Sequence, residues 1–333
     1  MALKPPAEVP QGAIRLNTDS QKLEFFAQDQ WWEMATDVPT LNGGGRACLA
    51  GNSSGGTQID YVTISTAGNA IDFGNLTSNW GYCRGTGSST RGIFGQTTTN
   101  VADTVEYITF ASTGNAVDFG NMTQSAQSGA FTSSATRAIA WEGMNPSTNE
   151  ISYATIASTG NFVDFGDMLI ASRHTCGMSS PTRGIMVGGW KANPGGNTNV
   201  IQYVTTASLG NAEDFGDVTI GQSLRGYASF SNSTRGVYGG GIRYPSGVQA
   251  GIEYITMATK GNGTTFGNLN YSNRQEGGGA SSSTRGLFMG GYSPSTTNVI
   301  DYVNISTEGN AVDFGDLVVA RAGGAASNCH GGL

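Results

Sequence analysis

The first residues to test for chemistry are two histidines, His174 and His330, because imidazole transfers protons and binds metals near neutral pH. Neither has a carboxylate or a cysteine at ligand spacing in the sequence, so no metal site is expected. No serine sits in a Gly-x-Ser-x-Gly run on a strand-to-helix turn, and no Gly-Lys-Ser/Thr follows a glycine-rich run to cradle phosphate. Cys48, Cys83, Cys176 and Cys329 lack Cys-x-x-Cys spacing and read as buried free thiols. One catalytic arrangement remains, an axial cluster of Arg84, Arg173, Arg225, Arg274, Arg321 and Glu276 near the innermost strands expected below. The favoured reading is solvated charge at a channel mouth. Catalytic residues, metals and cofactors are expected to be none, and the chain reads as a non-enzyme.

Stepping outward from these residues, most of the chain repeats one pattern, best seen in Ser283–Asp316. Its fixed points are Thr-Arg-Gly, an apolar pair running into glycines, Ile/Val-x-Tyr, Gly-Asn and Asp-Phe-Gly. The phenylalanines Phe73, Phe119, Phe165, Phe215, Phe266 and Phe314 lie 46, 46, 50, 51 and 48 residues apart. That period belongs to propellers and solenoids. The first repeat, from Asn42, lacks its opening strand, and the last, after Asp316, ends just after supplying one. A repeat split between the termini closes a ring, whereas an open solenoid needs caps. The expected fold is all-β: a six-bladed β-propeller over 42–333, closed by strands from both termini, with a small N-terminal β module over 1–41. The expected blades are 42–74 completed by 316–333, then 75–120, 121–166, 167–216, 217–267 and 268–315.

Composition supports this and excludes other classes. The 333 residues include 51 glycines, and only 12% are charged, which suits short strands joined by tight turns. A net charge of −7 argues against nucleic acid as a partner. No apolar run reaches the length of a membrane span, and the N-terminus lacks the apolar core of a secretory signal.

Arg46, Arg91, Arg137, Arg183, Arg235 and Arg285 recur once per repeat. Asp72, Asp118, Asp164, Asp214 and Asp313 recur in five, with Thr265 in the remaining one. A catalytic carboxylate has no reason to recur round a ring, so both sets read as structural, joined in bidentate, partly buried Arg–Asp bridges. What varies is the loop between the second and third strands and the crossing between blades, all expected on one face. Trp80, Tyr82, Trp141, Trp190, Lys191, Arg243, Tyr244 and Tyr292 fall there and read as a binding face for sugar rings or a protein.

The run GAIRLNTDSQKLEFFAQDQWWEM reads as three short strands. With Gly12, Ile14, Arg15, Leu16, Asn17, Thr18, Lys22, Glu24 and Trp31 or Trp32 in place, it resembles a strand-turn-strand module of bacteriophage tail-fibre and other virion proteins. The Gly290-Gly291 doublet followed by an aromatic resembles the kelch repeat, although Phe314 stands where kelch usually has Trp. The Thr-Arg-Gly…Asp-Phe-Gly repeats look like those of structural proteins of marine phages, including cyanophages. The resemblance implies a virion protein, tail- or fibre-associated, present in multiple copies. It implies docking to other virion proteins through Trp31 and Trp32, and a variable face turned to a host-surface glycan. A head-decorating capsid protein is the rival within that class. A secreted bacterial lectin or carbohydrate-active propeller enzyme is the rival outside it.

Overall fold

A computed structural model describes residues 9–17, 22–33, 45–52, 55–81, 83–95, 103–126, 128–143, 148–191, 195–219, 225–243, 247–271, 274–292 and 294–333. All regular structure among them is β. The chain divides into two compact units, Met1–Leu41 and Asn42–Leu333.

In the first unit, Ile14–Asn17, Lys22–Ala27 and Gln30–Glu33 form one antiparallel sheet. Gln28 and Asp29 both take positive φ, the two-residue turn that matches strand twist. The register sets Ile14 opposite Phe25 and Phe25 opposite Trp32, so alternation puts Ile14, Leu16, Leu23, Phe25 and Trp32 on one face. All five are exposed, Ile14 by 64% and Leu16 by 61%. The other face carries the Arg15–Glu24 ion pair and Trp31, which meets Phe26 edge-on and lies under the Arg15 guanidinium.

Among the described residues the second unit forms six antiparallel sheets of four or more strands and one small three-stranded sheet of Ser172–Arg173, Trp190–Lys191 and Gly196–Asn197. Sheet A joins Gly324–Ser327 to Arg46–Ala50, Gln58–Thr63 and Ile71–Asn75. Its first strand therefore comes from the far end of the chain, with Gly324 opposite Ala50 and Ser327 opposite Ala47. Sheet B is Arg84–Gly87, Arg91–Gly95, Thr104–Thr109 and Val117–Asn121. Sheet C is Ala130–Ser133, Arg137–Trp141, Glu150–Thr155 and Val163–Asp167. Sheet D is Cys176–Ser179, Arg183–Val187, Val200–Thr205 and Glu213–Asp217. Sheet E is Arg225–Ser231, Arg235–Arg243, Gly251–Thr256 and Thr264–Asn268, with Gly247–Val248 added at its side. Sheet F is Gly278–Ser281, Arg285–Met289, Val299–Asn304 and Val312–Asp316. The first strands of A and B touch, as do those of B and C, C and D, D and E, E and F, and F and A.

The recurring residues are explained by what each sheet does to the next. Second strands such as Arg285–Met289 are buried after their first residue because sheets pack on both their faces. On each outermost strand the phenylalanine is buried and meets the tyrosine of the third strand edge-on, as Phe314 does Tyr302 at 6.0 Å. An outermost strand would otherwise expose an unpaired edge. Here the Gly-Asn turn of the following sheet covers it: Gly114 N–H donates to Phe73 O, and Asn115 Oδ1 accepts from Asn75 N–H. The same pair of contacts joins every sheet to the next, including F to A through Gly68, Asn69, Phe314 and Asp316. The glycine of Asp-Phe-Gly is required by this approach. A Cβ on Gly74 would strike the Gly114 carbonyl, and Gly74 takes a φ of 149°.

The expected Arg–Asp bridges are not what these residues make. Among the described residues no ion pair joins the two sets. Each arginine instead lies over the tyrosine of its own sheet, Arg91 over Tyr107 at 4.6 Å, and donates to a carbonyl of the next sheet. Arg46 reaches Phe110 O, Arg137 Thr206 O, Arg183 Met257 O, Arg235 Ile305 O and Arg285 Ile64 O. Asp72, Asp118, Asp164, Asp214 and Asp313 are exposed. The physical reason is that a buried carbonyl needs a donor, and the arginine supplies one where an exposed aspartate has water.

Candidate functional site

Residues of the six first strands line a narrow shaft. It contains cavities of about 50 Å³ and 40 Å³, lined mostly by glycine, alanine, serine and Phe131, with Arg84 and Cys176 at the first and Thr86, Met178, Phe230 and His330 at the second, enough for a few water-sized molecules each. At one mouth the residues leading into sheets C, D, E and F form a backbone chain. His174 N–H donates to Ser128 O, Gly226 N–H to His174 O, and Glu276 N–H to Gly226 O. All four take positive φ: Ser128 51°, His174 54°, Gly226 75° and Glu276 55°. Three of them carry side chains, in a conformation that costs on the order of 1 kcal/mol or more per residue and tends to cluster at functional sites.

Side chains cross the mouth above that chain. Arg84 Nη2 lies 2.6 Å from Glu276 Oε2, and His174 Nδ1 lies 2.7 Å from Glu276 Oε1. Arg84 also donates through Nε to Gly129 O and through Nη1 to Cys83 O. Burial alone would raise the Glu276 carboxyl, but the Arg84 guanidinium and His174 hold it down to about 2. The strap therefore ties sheets B, D and F together. It corrects one expectation, since Arg84 and Glu276 are buried rather than solvated, and it gives His174 a carboxylate partner 102 residues away, far beyond any ligand spacing.

Arg274 and Arg321 are likewise buried, because each pairs with a carboxylate on a third strand. Arg274 meets Asp301 at 3.1 Å and Arg321 meets Asp60 at 2.9 Å. These carboxylates occupy the middle position of Ile/Val-x-Tyr, held by Asp60, Glu106, Ser152, Gln202, Glu253 and Asp301, all buried. They accept from the segments that cross between sheets: Val318 N–H to Asp60, Thr77 N–H to Glu106, Leu169 N–H to Gln202, Thr219 N–H to Glu253 and Tyr271 N–H to Asp301. In sheet C, Glu142 takes the role, bonded to Ser152 and Thr123, and burial pushes its carboxyl up to about 7. Sequence reasoning missed this set, although a polar residue at the centre of an apolar motif marks it in every repeat.

The variable face is reduced from its expected extent. Trp80 and Trp141 are 2% and 0% exposed, and their indoles donate to Ser78 Oγ and Thr132 Oγ1 within core clusters. They pack the loops down and cannot touch a ligand. Trp190 and Lys191 are half-buried on a short strand that pairs with Ser172–Arg173 and with Gly196–Asn197. The Arg173 guanidinium lies 4.6 Å over the Trp190 ring. Tyr292 is half-buried and exchanges backbone bonds with Gln275. Arg243 ends a strand of sheet E, and its side chain, with Tyr82 and Tyr244, lies outside the described residues. Of the docking pair, Trp31 is half-buried and Trp32 is 43% exposed. The four cysteines are free, and burial pushes Cys83 up to about 11 and Cys176 and Cys329 to about 12. Among the described residues no group of three or more His, Cys, Asp or Glu is placed to hold a metal ion. No described helix is long and apolar enough to cross a membrane.

Fold and shaft together define a β-propeller-like all-β protein. The chain is similar to a solved structure titled "Structure of YjhT", with a TM-score of 0.59 and 9% identity, covering 72% of this chain and 85% of that one. At that identity the likeness concerns the fold alone. No family model and no curated protein matches the sequence.

Proposed function

We propose that the chain is a non-enzymatic structural protein of a bacteriophage particle, tail- or fibre-associated. In this reading the second unit is a closed six-bladed propeller whose first blade is completed by Gly324–Ser327, and the first unit docks it to another virion protein. The observation that carries the reading is the apolar face of the N-terminal sheet. Ile14, Leu16, Leu23, Phe25 and Trp32 lie exposed side by side on three strands. A three-stranded sheet of this size is marginal without a covering layer, and a contiguous apolar face marks a contact site. The resemblance of this stretch to virion docking modules agrees with that role. A host-surface glycan would be met by Trp190 and Lys191 with Arg173, whose guanidinium lies over the Trp190 ring.

Deletion of residues 1–41 tests the reading. The remaining chain is expected to stay folded and soluble but to be absent from purified particles. Incorporation at the wild-type level would overturn the docking role, and failure to find the intact protein in particles would overturn the virion assignment itself.

A further inference from the structure

The opposite end of the shaft is ringed by the last residues of the first strands: Gly87, Ser133, Ser179, Ser231, Ser281 and Ser327. Hydroxyls staple this ring. Ser231 Oγ donates to Ser179 O, Ser281 Oγ to Ser231 O, Ser327 Oγ to Ser281 O and Ser133 Oγ to Gly87 O. Gly87 is the one position without a side chain. The segment 328–333 lies across the ring. Asn328 Oδ1 accepts from Arg46 N–H, Cys329 Sγ lies 3.5 Å from Ser281 O, and Gly331 N–H donates to Ser231 O. His330 enters at the gap: its Nε2 lies 2.7 Å from Gly87 O and 3.2 Å from Ser133 Oγ.

The partners assign the imidazole's state. Gly87 O can only accept, so Nε2 carries the proton. Gly332 N–H can only donate, and it points at Nδ1 from 3.0 Å, so Nδ1 is bare and the ring is neutral. We infer that residues 328–333 are a pH-operated latch over this end of the shaft, held by neutral His330 and released when Nδ1 takes a proton. Protonation would set an N–H against the Gly332 N–H and place a charge where no partner answers it. The groups facing the ring from sheets B, C, D, E, F and A are Thr86, Gly87, Ser133, Ser179, Ser231, Ser281 and Ser327, none of them charged. Among the described residues the other titratable group on the segment itself is the Cys329 thiol.

The sign agrees with the geometry. Burial lowers the His330 pKa below its ordinary 6.5, and the Gly87 carbonyl only partly offsets this. A lowered histidine stabilises the closed latch fully above pH 6.5 and loses that contribution as pH falls below it.

Hydrogen-exchange protection of the Gly331 and Gly332 amides, measured in the full chain at pH 7.5 and 5.0, tests the latch. The wild type is expected to lose about tenfold or more of its protection at the lower pH, alongside a His330 ring-proton titration below pH 6.5. His330→Gln keeps a donor for Gly87 O without titrating, so its protection should be the same at both values. Wild-type protection that is equal at the two pH values would overturn the proposal. So would an equal loss in the glutamine variant, or a His330 that titrates at or above its ordinary value.

Discussion

The two mouths of the shaft are closed by opposite means. At one, a single ion-paired strap of Arg84, Glu276 and His174 joins sheets B, F and D, over a backbone chain of strained residues. At the other, six strand ends share a ring of neutral hydrogen bonds, and a neutral histidine fills the one gap. The strap concentrates its stabilisation in one buried charge that nothing else can satisfy. The ring distributes it over many bonds of modest individual worth. Losing one partner is therefore expensive at the first mouth and tolerable at the second.

Arg84→Ala should show the largest effect. It leaves the buried Glu276 carboxylate with His174 alone, and the expected loss is roughly 3–5 kcal/mol in chemical denaturation. A loss below about 1 kcal/mol would mean that water reaches the strap and the contrast between the mouths is only geometric.

Acid titration sharpens the comparison. Glu276 is lowered from an ordinary 4.5 to about 2, so its contribution is present above pH 4.5 and is lost as pH falls toward 2. The wild type should lose stability over that interval more steeply than Glu276→Gln, whose strap does not titrate. Parallel curves would remove the ionised carboxylate from the account. The latch, by contrast, weakens already below pH 6.5, so the two ends of the shaft should loosen in separate pH ranges.

Ser231→Ala should be the mildest. Its hydroxyl donates to Ser179 O and accepts from Ser179 N–H, and its removal is expected to cost about 1–2 kcal/mol in thermal or urea unfolding. A cost matching that of Arg84→Ala would break the contrast between a concentrated and a distributed closure.

Much of the architecture is visible in the chain because it is written locally and repeatedly. Strand periodicity, the Gly-Asn and Asp-Phe-Gly turns and the offset of the first repeat all depend on neighbours within one repeat. They predict four strands for the repeat of sheet F and a pairing of Leu317–Ser327 with Gly44–Ala50, of which the structure pairs Gly324–Ser327 with Ala47–Ala50. Recurrence alone could not say what a residue pairs with. Six arginines and five aspartates suggested bridges by count and charge, yet the arginines face carbonyls of the following sheet and the aspartates face water. The indoles of Trp80 and Trp141 look like binding aromatics in loops of varied length, but their depth depends on how those loops fold back.

The sequence by itself determined the repeat, the strand order within each sheet and the terminal strand that completes sheet A, since each follows from short-range pattern and register. Only the tertiary structure decided which charges are buried and with whom. His174 and Glu276 are 102 residues apart, and Arg84 and Glu276 are 192 apart. Their contact exists because the first strands of sheets B, D and F line one cavity. Brought together there, Arg84 and His174 keep the Glu276 carboxyl ionised against its own burial, and no local window of sequence carries that information.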